Sequence, residues 1–210
     1  MADWATISSL ATAAGTLVLA VATFSSVRSA HRSAAVTERS LLAGIRPVLV
    51  PSRNTDPPDK VGFIDGRWLR LEGGRAAIEV DDEAIYLAFT VRNVGAGIGV
   101  LDRWDLFTDP DLAVSDHREI DTFTRLTRDI YIPAGDIGFW QAALRDPSAE
   151  TFREVRRAHE ARERINVDLL YEDHEGGQRT ISRFSIVPAG DDAWLTVVSR
   201  HWNLDRDDPR

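Results

Sequence analysis

Residues 4–27 contain no charged side chain, and this 24-residue interval between Asp3 and Arg28 constrains the N-terminus more than any other feature. Its apolar content comes from Ile7, Leu10, Leu17, Val18, Leu19, Val21, Phe24 and Val27 among many alanines. At about 1.5 Å per residue, residues 5–27 form a helix of roughly 34 Å, enough for a hydrocarbon core of about 30 Å. Trp4 falls at the outer boundary, where an indole favours the interface. The serine and threonine hydroxyls of the segment can bond back to the preceding turn, which makes them tolerable in lipid. A signal peptide would place positive charge before the apolar run; here the first charge is Asp3 and the arginines follow. The modest hydrophobicity leaves a soluble or interfacial packing helix as the alternative to a membrane span.

The flanks set an expected orientation. Arg28, Arg32, Arg39 and Arg46 all lie C-terminal to the apolar run, and positive charge stays cytosolic. The expectation is a single-pass protein of the cell membrane, with the N-terminus outside and the C-terminal domain in the cytosol. Arg32, Arg39 and Arg46 repeat every seven residues and Arg28 lies one turn before Arg32, so the four can form a basic juxtamembrane stripe. The alternative is that they serve only as the topology signal. Small residues at Ser8, Thr12, Thr16 and Ala20 permit close helix pairing. Gly44 and Pro47 stop the helix.

After Pro47 the pattern becomes strand-like. Strands are expected at Pro47–Ser52, Arg67–Glu72, Ala76–Val80, Ile85–Asn93, Ile98–Phe107, Ile130–Ile132, Ile137–Leu144, Ile165–Tyr171, Arg179–Val187 and Trp194–Trp202. Asn54–Lys60 reads as a polar loop, and Asp116–Arg128 as a short helix or irregular insertion. Ser148–Arg164 predicts a helix capped by Ser148, with Phe152, Val155 and Ala158 on one face. The fold class that follows is mainly β: a transmembrane helix, then an antiparallel β-sandwich or barrel-like domain with one or two short helices. Residues 1–46 form the transmembrane and basic juxtamembrane helix, 47–204 the β domain and 205–210 a solvated tail.

Composition removes several chemistries. The chain has no cysteine, which excludes disulfides, thiol nucleophiles and zinc–thiolate sites, and Lys60 is its one lysine. Residues 1–53 carry five arginines against Asp3 and Glu38, a balance of +3, so the remainder holds −8 − 3 = −11. An acidic body repels nucleic acid, and no nucleic-acid partner is expected. The loop Asn93-Val94-Gly95-Ala96-Gly97-Ile98-Gly99 fails as a dinucleotide fingerprint because Val100 stands where the third glycine belongs. Gly95, Gly97 and Gly99 are read instead as a structural turn that needs positive φ. No histidines pair at metal-ligand spacing, and Glu172-Asp173-His174-Glu175 lies at an expected hairpin tip. No catalytic, cofactor-binding or metal-ligating residue is assigned, and no cofactor is expected. Trp68, Trp104, Trp140, Trp194 and Trp202 fall in strands, mostly as core, with one or two available for an exposed partner patch.

Arg46-Pro47-Val48-Leu49-Val50, followed by Leu87-Ala88-Phe89-Thr90-Val91-Arg92-Asn93-Val94-Gly95-Ala96-Gly97, resembles a pattern in uncharacterised actinobacterial single-pass, membrane-anchored β-domain proteins. The resemblance covers the helix and the first half of the body. It implies a small β-sandwich on a membrane tether and brings no known activity. The expected function is a non-catalytic, membrane-tethered interaction or scaffold module with the membrane and a protein partner, or a second copy, as its contacts. A membrane-bound hydrolase or metal-dependent enzyme using Asp, Glu and His is the rival reading, and a small-ligand sensor the third.

Overall fold

The uncharged interval and the arginine-bearing stretch after it form one continuous helix, α1, Trp4–Gly44. The structure is a computed structural model that describes residues 3–190 and 192–205, without the side chains of residues 4–7, 9, 11 and 43. The chain divides into two units, Met1–Gly44 and Ile45–Arg210. At about 1.5 Å per residue, α1 is roughly 60 Å long. Thr12, Thr16, Thr23 and Thr37 each donate a hydroxyl to the carbonyl four residues earlier, so these polar groups are satisfied within the helix.

The second unit is built on a nine-stranded antiparallel sheet. Its strands are β1 (Leu49–Pro51), β4 (Arg75–Val80), β5 (Ile85–Asn93), β6 (Gly99–Phe107), β7 (Thr124–Ile132), β8 (Ile137–Leu144), β9 (Ile165–Asp173), β10 (Thr180–Ala189) and β11 (Ala193–Asn203). The remaining strands, β2 (Asp59–Gly62) and β3 (Trp68–Leu71), form a separate hairpin. From one end the order is β7-β6-β9-β10-β11-β4-β5, with β1 continuing beyond β4 on β5 and β8 also paired to β5. The sheet is therefore curled, and its terminal strands β7 and β8 are consecutive in sequence. This is the antiparallel, mainly β architecture that the alternation predicts.

The concave face holds the main core. Trp140 is fully buried, with Phe89 at 5.0 Å and Trp104 at 5.6 Å between ring centroids. Such aromatic pairs contribute about 0.5–1.5 kcal/mol each beyond their area. Helix α3 (Glu150–Glu160) seats Phe152, Val155 and Ala158 in this core, as its spacing predicts. Ala149 occupies its N-cap without a side-chain bond, whereas the Ser148 hydroxyl donates to Asp146 Oδ1 at 2.6 Å. The expected Ser148 cap is thus replaced by a turn one residue further back. Two smaller clusters cover the convex face. The β2–β3 hairpin packs Val61, Phe63, Leu69 and Leu71 against Tyr86 and Ala88 of β5. Phe123 joins Leu170, Ile181 and Trp202 in the other.

Two expectations need correcting. Asp59 and Lys60 belong to β2, not to a loop, because their exposed side chains conceal the strand between Val61 and its partner Leu69. The stretch 116–128 is not one insertion: a 3₁₀ turn at Ile120–Thr122 ends at Phe123, and β7 begins at Thr124. The first six positions of β7 are polar or only half-buried, so they show no period-two signal.

The convex face also carries a buried ion pair. Arg183 and Asp168 are 1% and 0% exposed and bond through both guanidinium–carboxylate arms at 2.7 Å. Arg183 Nη1 also donates to the carbonyls of Leu112, Ala113 and Ser115 at the end of α2 (Pro110–Val114). The guanidinium lies between the rings of Phe107 and Trp202, and Arg118 and Arg200 cover the outer faces of those rings. Removing one member of a buried pair costs more than removing both, because a lone charge stays desolvated. Arg183→Ala is expected to cost about 3–5 kcal/mol in urea unfolding of the full chain in detergent. Arg183→Met combined with Asp168→Leu should cost less than Arg183→Met alone, and a double cost equal to the sum of the Arg183→Met and Asp168→Leu singles would contradict the pairing.

Candidate functional site

The anchor residues are found where a helix can use them. Leu10, Leu17, Val18, Leu19, Val21 and Phe24 lie on α1 with between 63% and 70% of their surface exposed. At about 100° per residue, Leu10, Leu17, Val21 and Phe24 share one side of the helix while Val18 and Leu19 lie beside and opposite it, so the apolar surface is not confined to one face. The side chains of Trp4 and Ile7 lie outside the described residues. The helix is long and apolar enough to cross a membrane.

Arg28, Arg32 and Arg39 are exposed on α1, at spacings that put them on one face. Arg46 is not with them. It lies beyond the end of the helix, 7% exposed, and donates from Nη1 to Thr180 Oγ1 and Asn203 Oδ1, each at 3.0 Å, and from Nη2 to Asp205. The heptad spacing to Arg39 is therefore accidental, because Gly44 ends the helical register that the spacing requires. Asp205, assigned by sequence to a solvated tail, is an ion-pair partner in this latch; residues 206–210 lie outside the described residues.

Gly95, Gly97 and Gly99 form the expected turn, but for a different reason. None has positive φ, which belongs to Gly66, Gly74, Gly135, Gly176 and Gly190. A Cβ on Gly95 would overlap the Arg46 carbonyl oxygen, and one on Gly97 would overlap that of Ile45. These glycines let the 45–48 backbone lie flush on the turn. Asn93 completes the joint: Oδ1 accepts from Val48 N and Gly95 N, and Nδ2 donates to the carbonyls of Gly97 and Ile132. The two sequence motifs that carry the resemblance are thus the two halves of one contact. Gly97→Ala should cost about 1–3 kcal/mol of stability by displacing backbone. Gly99→Ala, whose Cβ would meet the Pro47 side chain at 3.3 Å, should cost less than about 1 kcal/mol. Equal losses in thermal or urea unfolding would refute this account of the turn.

Chemistry-bearing groups elsewhere serve the fold. Ser182 Oγ lies 2.6 Å from His201 Nδ1, but Ser182 is fully buried and also bonds the Tyr171 hydroxyl, which accepts from Leu49 N. In the 172–175 stretch, Asp173 accepts from Glu175 N, Gly177 N and Gln178 Nε2, closing the β9–β10 turn with its own oxygens. Among the described residues, no three His, Asp or Glu side chains converge to hold a metal ion.

A candidate site lies at the seam of the sheet. β7 pairs with β6 and β8 with β5; among the described residues neither has a second ladder partner. The two strands touch at their hairpin end, where Gly138 lies against Ile132. Further along, the β6–β7 ladder breaks between the Leu101–Ile130 and Arg103–Arg125 pairs, so residues 126–129 bulge opposite Asp102 alone. A cleft of about 250 Å³ opens there, between 124–130 of β7 and 141–145 at and beyond the end of β8. Phe63, Leu126, Ile130 and Ala142 supply apolar lining; Arg125, Arg128 and Arg145 supply charge, and no carboxylate lines it. Gln141 Oε1 is buried there without a hydrogen-bond partner. Beside the cleft stand Ile64, Trp68 and Tyr131, 98%, 64% and 60% exposed.

The sequence hides this site because an edge bulge has no motif. Trp68 belongs to the tryptophan set read mostly as core, and the structure makes it the exposed one; Trp140, Trp194 and Trp202 are buried. No family model matches the chain, and no curated protein matches its sequence.

Asp65 fixes one wall of the cleft. Its carboxylate accepts from the Tyr86 hydroxyl at 2.7 Å and from Arg145 Nη2 at 2.9 Å. The Tyr86 bond first, then Arg145, hold its pKa down to about 2. A depressed carboxylate contributes stability that is complete above its unfolded value and is lost as pH falls from there through the folded one. The β2–β3 hairpin should therefore keep its amide protection in hydrogen exchange from pH 7 down to about 4 and lose it progressively below. Asp65→Asn should weaken that protection across the same range, and a wild-type loss centred near pH 4 would contradict the assignment.

Proposed function

We propose that the protein is a non-catalytic, membrane-tethered interaction module, with α1 as the anchor and the β domain presenting its seam to a protein partner in the cytosol. The observation that carries this reading is the apolar surface around α1. Leucine, valine and phenylalanine side chains exposed on more than one side of a helix need a hydrocarbon or protein environment, since each such side chain gains about 1.5–3 kcal/mol on burial. Thr12, Thr16 and Thr23 already have internal acceptors and add no unsatisfied donor to the cost of insertion. The cytosolic side follows from Arg28, Arg32 and Arg39 on the C-terminal flank. Tethering confines the domain near the membrane and raises its effective concentration for a membrane-associated partner. Ser182 is fully buried and its hydroxyl is spent on Tyr171 and the half-buried His201, which favours this reading over the hydrolase.

The absence of native cysteine makes topology directly measurable. Asp82, whose side chain is fully exposed, accepts a Cys probe. Asp82→Cys protein should resist carbonate extraction, remain unlabelled by a membrane-impermeant maleimide in intact cells, and be labelled after lysis. Labelling in intact cells would reverse the orientation, and release by carbonate would remove the anchor.

A further inference from the structure

The seam of the sheet suggests what kind of partner the module takes. β8 is a regular edge: Ile137–Leu144 pairs with β5 at every position from Ile85 to Arg92 without a register shift. Its other side has no ladder partner among the described residues, and the bulge at 126–129 holds β7 off it. An unbroken strand edge of this kind is a template for an added strand, whose main chain supplies affinity while alternate side chains supply selectivity. Proteins usually blunt such edges with charge, and the charged side chains that line this cleft are arginines.

The opposite wall carries Arg125 and Arg128. The Arg125 side chain is 75% exposed, and its nearest carboxylate contact is Asp102 at 3.7 Å. Arg128 lies over the Phe139 ring at 5.5 Å and has no ion pair among the described residues. Arg145, at the end of the cleft, is already paired with Asp65. This basic, carboxylate-free cleft sits in a chain of net charge −8. The arginine wall repels a basic strand and attracts an acidic one. The apolar lining of Leu126, Ile130 and Ala142 suits the alternate side chains that an added strand turns inward. The unpartnered Gln141 Oε1 offers an acceptor to a donor entering the cleft.

We propose that the free edge of β8, facing Arg125 and Arg128 across the cleft, captures an extended acidic segment of a partner protein as an added strand. This rests on the interaction-module reading and names its partner class. It is tested by direct binding, so its failure is separable from failure of the membrane anchor.

The probe is a fluorescein-labelled octapeptide of alternating Glu and Val, titrated with the full chain in mild detergent and read by anisotropy. The wild-type protein should bind it about tenfold or more tightly than the matching Lys–Val peptide. Arg125→Glu combined with Arg128→Glu, both on exposed positions, should reverse that preference with unfolding temperature unchanged. A Glu–Val peptide with alternate backbone nitrogens methylated keeps its charge and loses ladder donors; wild-type protein should bind it about tenfold or more weakly than the parent. This arm needs no protein variant. No binding of the Glu–Val peptide, equal binding of the Lys–Val peptide, or equal binding of the methylated peptide would overturn the proposal. A concentration-dependent dimer that the double variant abolishes, with no peptide binding, would overturn it too and assign the seam to a second copy of this chain.

Discussion

One side-chain amide holds the entrance of the β domain together. Asn93 ends β5, and its carboxamide uses both its acceptor and donor sides on backbone: Val48 N and Gly95 N on one, the carbonyls of Gly97 and Ile132 on the other. Each neutral bond is worth about 1 kcal/mol net, but a buried group left without its partner costs about 1–3 kcal/mol, so loss of the amide would be felt at several points together. β1 depends on it. A three-residue strand cannot hold its own register, and Leu49–Pro51 lies on β5 because residues 45–48 are pinned beside it. Arg46 extends the same joint to the ends of β10 and β11, and the Tyr171 hydroxyl takes the Leu49 amide. The chain that follows α1 is thus built into the domain from Ile45 onward.

The polar interior follows one rule in three places. Asn93, the Arg183–Asp168 pair and the Tyr171–Ser182 pair, which the half-buried His201 extends, are buried polar groups whose partners come from other elements of the fold. Each joins a segment that packing alone would hold weakly: the 45–49 entrance, the 109–116 insertion, and the junction of β1 with β9 and β10. Arg183 shows how the arginine-rich composition is used. One guanidinium makes a paired salt bridge, meets three carbonyls and lies between two aromatic rings, which a lysine ammonium lacks the geometry to do.

What the sequence reveals and what it conceals divide along the same line. Ile85–Asn93 is a continuous run of buried, strand-favouring residues whose limits are readable directly, and Phe152, Val155 and Ala158 announce the buried face of α3. Local composition suffices for β5 because both of its faces are covered, and local periodicity suffices for α3 because one face packs on the core. It fails at Arg46, where a seven-residue repeat runs across a helix end, and at Gly95 and Gly97, where glycine serves backbone approach instead of φ. It fails again at β7, whose bulged polar half carries no alternation although it forms a wall of the cleft. Those features arise from contacts between segments far apart in sequence, and a single chain read locally contains no term for them.

Amide hydrogen exchange at Val48 and Leu49 in the full chain tests the central claim that residues 45–49 are part of the domain and not a linker. The account predicts protection comparable with the β5 amides at both positions, lost at Val48 when Asn93 is replaced by alanine. Exchange of both amides at the rate of an exposed peptide, in the wild-type protein, would contradict it.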